Sequence, residues 1–133
     1  MSEKIKNLRM NTNAAMEYFK TNLAFTLGPV ELKEMMLENN IKIIDVRAKE
    51  DYNISHIPNA ENIEYDELKN KITNDNEYFS KTEINVVYCY NYLCHLADRA
   101  AYVIAKAGFP VMVMQGGFKS WTEDFHFAVV TDK

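Results

Sequence analysis

Residues 84–106 read INVVYCYNYLCHLADRAAYVIAK, and the pattern of this stretch changes at Cys89. The run from Ile84 to Tyr88 is short and rich in β-branched residues, which is typical of a buried strand. The run from Leu96 to Lys106 has the apolar spacing of a helix. Its predicted inner face consists of Ala100, Ala101, Ile104 and Ala105. The stretch therefore predicts a strand, a loop that begins with a cysteine, and a helix.

Strands and helices alternate along the rest of the chain as well. The predicted elements are helices over 30–38, 65–71 and 118–124, strands over 41–46 and 111–114, and a helical turn over 51–55. Strands separated by helices indicate βα units and a mostly parallel sheet. In such sheets, functional sites lie beyond the carboxyl ends of the strands, where Asp45 and Cys89 are both placed.

A thiol between a strand end and a helix start is also in a position where a fold can stabilise a thiolate. The free N–H groups and the dipole of the helix favour the anion. Cys89 is therefore the first candidate for a reactive residue. The competing interpretation is a buried structural thiol, since free cysteines are among the most buried residues of proteins.

Composition and charge limit the class of protein. The chain has 133 residues, of which 47% are hydrophobic, and this is enough for one domain with a core. Its net charge is −4 and it has no basic stripe, which argues against nucleic acid as a partner. No apolar run reaches the roughly 18 residues of a membrane span, and the first residues lack the apolar stretch of a signal peptide. We therefore expect a cytoplasmic protein with no membrane partner.

Residues 1–25 are predicted to form an N-terminal helical extension, because residues 13–20 have helical composition. No linker rich in Pro, Gly or Ser separates this extension from residues 26–133, the predicted main domain. The extension either covers the sheet or mediates the formation of an oligomer, and the sequence leaves both interpretations open.

Four segments of the main domain match those of a known family, in the family's order. They are IIDVRAKEDY at 43–52, HIPNAENI at 56–63, VVYC at 86–89 with RAA at 99–101, and GFPVMVMQGGFKSW at 108–121. By these segments the chain resembles the rhodanese-like single-domain sulfurtransferases over roughly residues 26 to 125. The resemblance implies an α/β fold, in which a central, mostly parallel sheet has helices on both faces, and it makes 26–133 a rhodanese-like domain.

The resemblance also implies a reaction. Members of this family take a sulfane sulfur on one cysteine as a persulfide and pass it to a nucleophile, and Cys89 occupies the position of that cysteine. The implied donor is thiosulfate, a polysulfide or a protein persulfide, and the implied acceptor is a thiol, or cyanide in vitro. No organic cofactor and no metal is implied. The backbone of the following loop would hold the persulfide anion, and its residues are Tyr90, Asn91, Tyr92, Leu93, Cys94 and His95.

The loop differs from the family's common pattern. It is two residues longer before Arg99 and contains no Gly, Arg or Lys. Cys94, five positions after Cys89, resembles the spacing of a subgroup with a second loop cysteine. The alternative function is therefore a binding or redox-sensing module of low turnover that uses the two thiols. Phosphatase or arsenate-reductase chemistry is less favoured, because a neutral His95 is a poor substitute for a phosphate-clamping arginine.

Several other side chains are candidates for supporting roles. Asp45 is expected to accept hydrogen bonds from loop N–H groups, and Arg47 is expected to pair with an acid such as Glu50. His95 either assists ionisation of Cys89 or is a partly exposed cap residue. Tyr90 and Tyr92 either form a wall of the pocket or belong to an exposed aromatic patch. A metal site built from the two cysteines and His95 is not expected, because it lacks a fourth ligand.

Overall fold

The centre of the protein is a parallel sheet. The computed structural model describes residues 1–38, 40–75, 77–91 and 93–131. Within these residues, five strands form one sheet in the order β1-β5-β4-β2-β3, and all neighbouring strands are parallel. The strands are β1 (Thr26–Leu27), β2 (Ile41–Asp45), β3 (Glu61–Asn62), β4 (Ile84–Tyr88) and β5 (Val111–Met114).

Helices connect the strands, as the sequence predicts. They are α1 (Glu3–Arg9), α2 (Thr12–Phe25), α3 (Pro29–Glu38), α4 (Lys49–Ile54), α5 (Leu68–Asn74), α6 (Leu96–Lys106) and α7 (Gly117–Lys119). A 3₁₀ turn over Tyr65–Glu67 precedes α5, and a π-helical turn over Ser120–Asp124 continues α7. Pro29 is the first residue of α3, a position that tolerates its missing N–H.

Alternate residues of the central strands point to opposite faces of the sheet, and each face has its own core. Ile44 and Val87 belong to one core, which also contains Leu68 and Ile104 from α5 and α6. On the other face, a second core contains Ile43, Val86, Leu32 and Trp121. Cys89 lies in the first core, so its thiol is on the side of the sheet that α6 covers. Helices on both faces of a parallel sheet confirm the predicted fold class.

The inner face of α6 differs from the prediction at one residue. Ala97, Ala100 and Ile104 are buried, whereas Ala105 is exposed. Residues spaced three and four apart share one face of a helix, and Ala105 lies about 90° from the centre of the face that Ala97 begins. The prediction for Ala105 was therefore wrong, and Ala97 takes its place beside the cysteine loop.

The N-terminal extension consists of α1 and α2. Neither helix has a buried residue, and α2 contacts β1 and β5 at one edge of the sheet. None of the helices that the structure describes is long and apolar enough to cross a bilayer.

Candidate active site

Cys89 is the first residue after β4, and only 2% of it is exposed. Its Sγ lies 3.4 Å from the carbonyl oxygen of Cys94 and 3.9 Å from that of Asn91. A carbonyl oxygen can accept a hydrogen bond but cannot donate one. The Cys89 thiol therefore donates its proton to the loop, and this arrangement fits a protonated thiol rather than a thiolate.

The electrostatic surroundings of Cys89 favour the same state. Burial, with a smaller contribution from the neighbouring Cys94 thiol, raises the pKa of the Cys89 thiol to about 12. The backbone N–H groups of Ala97 and Tyr90 act in the opposite direction and lower the pKa. The predicted stabilisation of a thiolate by the start of α6 is thus present, but burial outweighs it. The resting form of Cys89 near neutral pH is the thiol.

Asn91 binds two of the N–H groups that were predicted to hold an anion. Its Oδ1 accepts the backbone N–H groups of Leu93 and Cys94, each at 3.1 Å, and its own carbonyl oxygen also accepts the Cys94 N–H. These N–H groups therefore point at the Asn91 side chain. The N–H groups that act on the Cys89 sulfur are those of Tyr90 and Ala97.

The start of the loop is fixed by the first turn of α7. The N–H of Phe118 donates to the carbonyl oxygen of Cys89, and the N–H of Lys119 donates to that of Tyr90, each at 2.8 Å. Gly117 lies directly against this backbone with a φ of 63°, and a Cβ on it would stand 2.5 Å from the carbonyl carbon and oxygen of Tyr90. Only glycine fits this close approach without strain.

Asp45 and Arg47 form a buried ion pair beside the loop. The Arg47 guanidinium donates to both carboxylate oxygens of Asp45, at 2.8 Å from Nη2 and 3.1 Å from Nε, and the Arg47 backbone N–H donates to the same carboxylate at 2.9 Å. Arg47 therefore pairs with Asp45 and not with Glu50, because residues two apart at the strand end meet directly. The expectation that Arg47 pairs with an acid is confirmed, with Asp45 in place of the suggested Glu50, and the loop N–H that Asp45 accepts is that of Arg47. The guanidinium also lies 4.1 Å from the centre of the Phe118 ring, next to the N–H that holds Cys89.

A cavity of about 330 Å³ opens beside the two thiols. Its walls come from the loop, the start of α6 and the end of β5, and they include Cys89, Asn91, Cys94, Asp98, Gln115 and Gly117. Asp98 is the one acidic or basic side chain among the described residues that line it. A larger groove of about 750 Å³ lies between α4, β3 and α5 and is lined by neither cysteine.

A family model for the rhodanese-like domain matches residues 28–124. The chain belongs to the rhodanese-like domain family. This match confirms the resemblance drawn from the four sequence segments. It does not bear on the subgroup with a second loop cysteine, which stays a prediction.

Individual relatives agree with this assignment. The rhodanese-like domain is similar to a Bacillus halodurans protein of known structure, with 28% identity and a TM-score of 0.81 over 91% of this chain and 87% of the other. A thiosulfate sulfurtransferase from Pseudomonas aeruginosa is 25% identical, with a TM-score of 0.67 over 82% of this chain and 20% of the other. A probable molybdopterin-synthase adenylyltransferase from Porphyra purpurea is 31% identical over 98 residues. That match covers 70% of this chain but only 24% of the relative.

The rhodanese-like domain brings some of the predicted loop residues together and leaves others apart. Cys89, Asn91 and Cys94 border one cavity, while Tyr90 is 47% and Leu93 is 68% exposed. His95 precedes α6 without a capping hydrogen bond, and its Nδ1 lies 3.9 Å from Asp98. This agrees with an exposed cap residue. Tyr92 lies outside the described residues.

Gly117 is a residue of the rhodanese-like domain whose role was not predicted. The glycine doublet Gly116-Gly117, just before the predicted helix over 118–124, is the only signal of this role in the sequence. The contact of Gly117 with Tyr90 joins segments that are 27 positions apart, so no local sequence pattern predicts it. His56, the first residue of the second family segment, has a structural hydrogen bond, because its Nδ1 lies 2.9 Å from the carbonyl oxygen of Tyr52.

Proposed function

We propose that this rhodanese-like domain is a sulfurtransferase and that Cys89 carries the sulfane sulfur. The observation that supports this proposal is the position of Cys89. It is the first residue of the loop between β4 and α6, it borders a cavity, and backbone N–H groups from two sides of the loop act on its sulfur. The proposed donor is thiosulfate, a polysulfide or a protein persulfide, and the proposed acceptor is a thiol.

The reaction has two displacement steps at sulfur. The Cys89 thiolate attacks the sulfane sulfur of the donor, the donor's S–S bond breaks, and its electron pair leaves with the remainder, which is sulfite for thiosulfate. The acceptor thiolate then attacks the outer sulfur of the Cys89 persulfide. This restores the Cys89 thiolate and leaves the sulfur on the acceptor. No net oxidation occurs and no further reactant is needed.

The resting loop must rearrange before the first step, because Cys89 is a buried thiol that donates to carbonyl oxygens. We propose that Asn91 acts as a latch. When its side chain releases the N–H groups of Leu93 and Cys94, these can turn toward the sulfur and stabilise an anion there. The N–H groups of Tyr90 and Ala97 already act on that sulfur and complete the set.

The test is the intact mass of the protein after incubation with each donor. We expect a gain of about 32 Da, one sulfur atom, with thiosulfate or with a small-molecule persulfide. The gain should disappear in Cys89→Ser and persist in Cys94→Ser. An adduct that survives Cys89→Ser, or the absence of an adduct with both donors, contradicts the proposal.

A second candidate function is a redox pair formed by the two thiols. It is favoured by one observation: Cys89 and Cys94 border the same cavity, and the Cys94 thiol contributes to the pKa of Cys89 through a hydrogen bond. Hydrogen peroxide would take two electrons from the pair, form the disulfide and leave as two water molecules. A loss of about 2 Da after mild peroxide, reversed by dithiothreitol, without any sulfur adduct, supports this function over sulfur transfer.

A cytoplasmic location, which the sequence predicts, is part of both proposals. Reversible disulfide formation needs a compartment that returns the two thiols to their reduced form, and sulfur transfer needs one that supplies a reduced acceptor thiol.

A further inference from the structure

The cavity beside the two thiols has a negative charge in its wall and no positive one. Asp98 is its one charged side chain, and no Lys or Arg is among the described residues that line it. The other polar side chains in the wall are the neutral amides of Asn91 and Gln115. A substrate that reaches the Cys89 sulfur through this cavity therefore passes a carboxylate, and no described side chain of the wall attracts an anion.

Asp98 lies close to the reacting sulfur. It is in the first turn of α6 and follows Ala97, whose backbone N–H acts on the Cys89 sulfur. Consecutive Cα atoms are about 3.8 Å apart, so the N–H and the acidic side chain start from neighbouring points of the same wall. Because α6 is a regular helix and not part of the loop, we expect Asp98 to keep its place when the loop rearranges around a persulfide.

The charge of Asp98 is available to a substrate. Its side chain is 65% exposed, and its one ion pair among the described residues is with His95, whose Nδ1 lies 3.9 Å away and is charged only when protonated. No hydrogen-bond donor in the described part of the chain binds the carboxylate. An acid in the first turn also stabilises a helix. That role explains an acidic residue at this point of α6, but it does not require the side chain to line the cavity.

A basic side chain lies beyond Asp98, away from the cysteines. Arg99 lines a separate, more open depression of about 360 Å³, together with Tyr65, His95, Tyr102 and Asp98. It does not line the cavity that holds the two thiols. Asp98 therefore borders both spaces, and an anion attracted by Arg99 is drawn to the outer depression rather than to the sulfur.

The backbone around the sulfur has the same polarity as Asp98. In the resting loop, the carbonyl oxygens of Asn91 and Cys94 lie 3.9 and 3.4 Å from the Cys89 Sγ. With the Asp98 carboxylate, three hydrogen-bond acceptors thus border one cavity. An ammonium group has three N–H donors, a positive charge and no acceptor, so it is complementary to such a site. Thiosulfate and cyanide are anions and lack this complementarity.

We infer that the acceptor of the proposed sulfur transfer is a small thiol that carries an ammonium group close to its sulfur, and that the Asp98 carboxylate binds this ammonium. The inference rests on the proposed function, because it concerns the second displacement step. In that step the acceptor thiolate attacks the outer sulfur of the persulfide, and the bond between the two persulfide sulfurs breaks. Its electron pair stays on Cys89, and the acceptor leaves as an amino persulfide. The cavity of about 330 Å³ suits a small thiol, since small-molecule sites have about 300–1,000 Å³.

Three acceptors of equal length test the inference on the full chain. Cysteamine, 2-mercaptoethanol and 3-mercaptopropionate each have two carbons between the sulfur and an ammonium, a hydroxyl or a carboxylate group. Cys89 is first loaded with sulfur, and the loss of the adduct of about 32 Da is followed by intact mass. The measurement is made at pH 8, the upper end of the range in which histidine side chains change charge. The rate without acceptor is subtracted, and each rate is divided by that with 2-mercaptoethanol.

The comparison of wild type with Asp98→Asn removes differences in intrinsic thiol reactivity, because each acceptor is compared with itself. An exposed charge pair changes an interaction by about 2- to 5-fold. In Asp98→Asn, the relative rate with cysteamine should therefore fall by about 2- to 5-fold, and that with 3-mercaptopropionate should rise by a similar factor. Opposite changes indicate charge, since a loosened loop would alter both rates in the same direction. In wild type, 1 M NaCl should weaken the preference, because the Debye length is then about 3 Å.

Two further variants are matched controls. Asp98→Glu keeps the carboxylate and should keep the wild-type order of the three acceptors. Asp66→Asn removes the same charge from an exposed residue of the 3₁₀ turn before α5, and Asp66 lines neither the cysteine cavity nor the outer depression. Both relative rates should be unchanged in Asp66→Asn.

Three results would overturn the inference. The first is normal loading of Cys89 with relative rates that differ by less than about 1.5-fold between wild type and Asp98→Asn, and this result leaves the proposed sulfur transfer standing. The second is an equal change in Asp66→Asn, because the net charge of the protein then decides the rates. The third is the absence of loading in wild type, which contradicts the proposed function itself, and the inference falls with it.

Discussion

Asn91 determines how many backbone N–H groups can act on the Cys89 sulfur, so its substitution tests the proposed site directly. Its Oδ1 accepts the N–H groups of Leu93 and Cys94 at 3.1 Å each, while burial raises the pKa of Cys89 to about 12. Asn91→Ala removes this acceptor. Both N–H groups then lack a side-chain partner and can turn toward a thiolate, although the Cys94 N–H must also leave the backbone carbonyl oxygen of Asn91.

The expected change in pKa follows from these contacts. A hydrogen bond to a charged group contributes about 1.5–3 kcal/mol, and ordering one loop residue costs about 1–2 kcal/mol. Two such bonds contribute about 3–6 kcal/mol; subtracting about 1–2 kcal/mol for ordering and about 1 kcal/mol for the bond that the Cys94 N–H gives up to the Asn91 carbonyl oxygen leaves about 1–3 kcal/mol. This is a fall of roughly 1 to 2 units in the pKa of Cys89.

Alkylation by iodoacetamide measures this change, because only the thiolate reacts. The measurement uses a Cys94→Ser background, so that one thiol is followed. The Cys94 contribution to the pKa is absent in this background, and burial alone should still make Cys89 react at least about 100-fold more slowly at neutral pH than a free cysteine of pKa about 8.5 while Asn91 is intact. Asn91→Ala should accelerate the reaction by about 10- to 100-fold.

Asn91→Asp is the matched control. Its carboxylate keeps the acceptor for the N–H groups of Leu93 and Cys94 and adds a negative charge, so the rate should not rise. The reasoning is refuted if Cys89 titrates near the pKa of a free cysteine while Asn91 is intact. It is also refuted if Asn91→Ala changes the rate by less than about twofold, since one pKa unit corresponds to tenfold.

Three further predictions concern stability, measured as the free energy of unfolding in urea. Because burial raises the pKa of Cys89 in the folded protein, the contribution of its thiol to the free energy of unfolding is complete below the unfolded pKa of about 8.5 and is lost progressively above it. Above that pH, the free energy of unfolding of wild type should fall by about 1.4 kcal/mol per pH unit more than that of Cys89→Ser. Parallel curves of the free energy of unfolding against pH contradict this. Gly117→Ala should lower the free energy of unfolding by about 1–3 kcal/mol, because the new Cβ meets the Tyr90 backbone. Gly28→Ala is the control and should leave the free energy of unfolding unchanged, because no atom lies within 4 Å of the position of its Cβ. Arg47→Met leaves Asp45 buried and unpaired and should cost about 3–5 kcal/mol; a loss below about 1 kcal/mol would show that Asp45 finds another partner.

Local patterns were sufficient for the fold. The β-branched run before Cys89 indicates a strand, and the apolar spacing after Leu96 indicates a helix. Both patterns are local, because each consists of residues that are close together in the sequence. The four family segments then fixed the order of the elements. The prediction for Ala105 was wrong because a small alanine side chain is compatible with both the buried and the exposed face of a helix.

The site was less predictable because it depends on contacts between distant segments. The close approach of Gly117 to Tyr90 involves two loops that meet only in the folded chain. The state of Cys89 depends on a balance between burial, which raises its pKa, and N–H groups, which lower it. The sequence indicates that both contributions to the pKa exist, but it does not give their magnitudes. The sequence predicted an acid as the partner of Arg47 but did not identify Asp45, because the strand-end geometry that brings the two side chains together is absent from a residue pattern.

The hydrogen bonds from Phe118 and Lys119 reach only the first two residues of the cysteine loop, at Cys89 and Tyr90. The backbone of Cys89 is therefore held by α7, while its thiol also contacts the Cys94 carbonyl oxygen on the far side of the loop. A chain built this way can gain or lose residues on the far side of the loop without displacing its cysteine. We therefore expect the far side of the loop, which borders the cavity, to tolerate changes of length while the backbone of Cys89 stays in place.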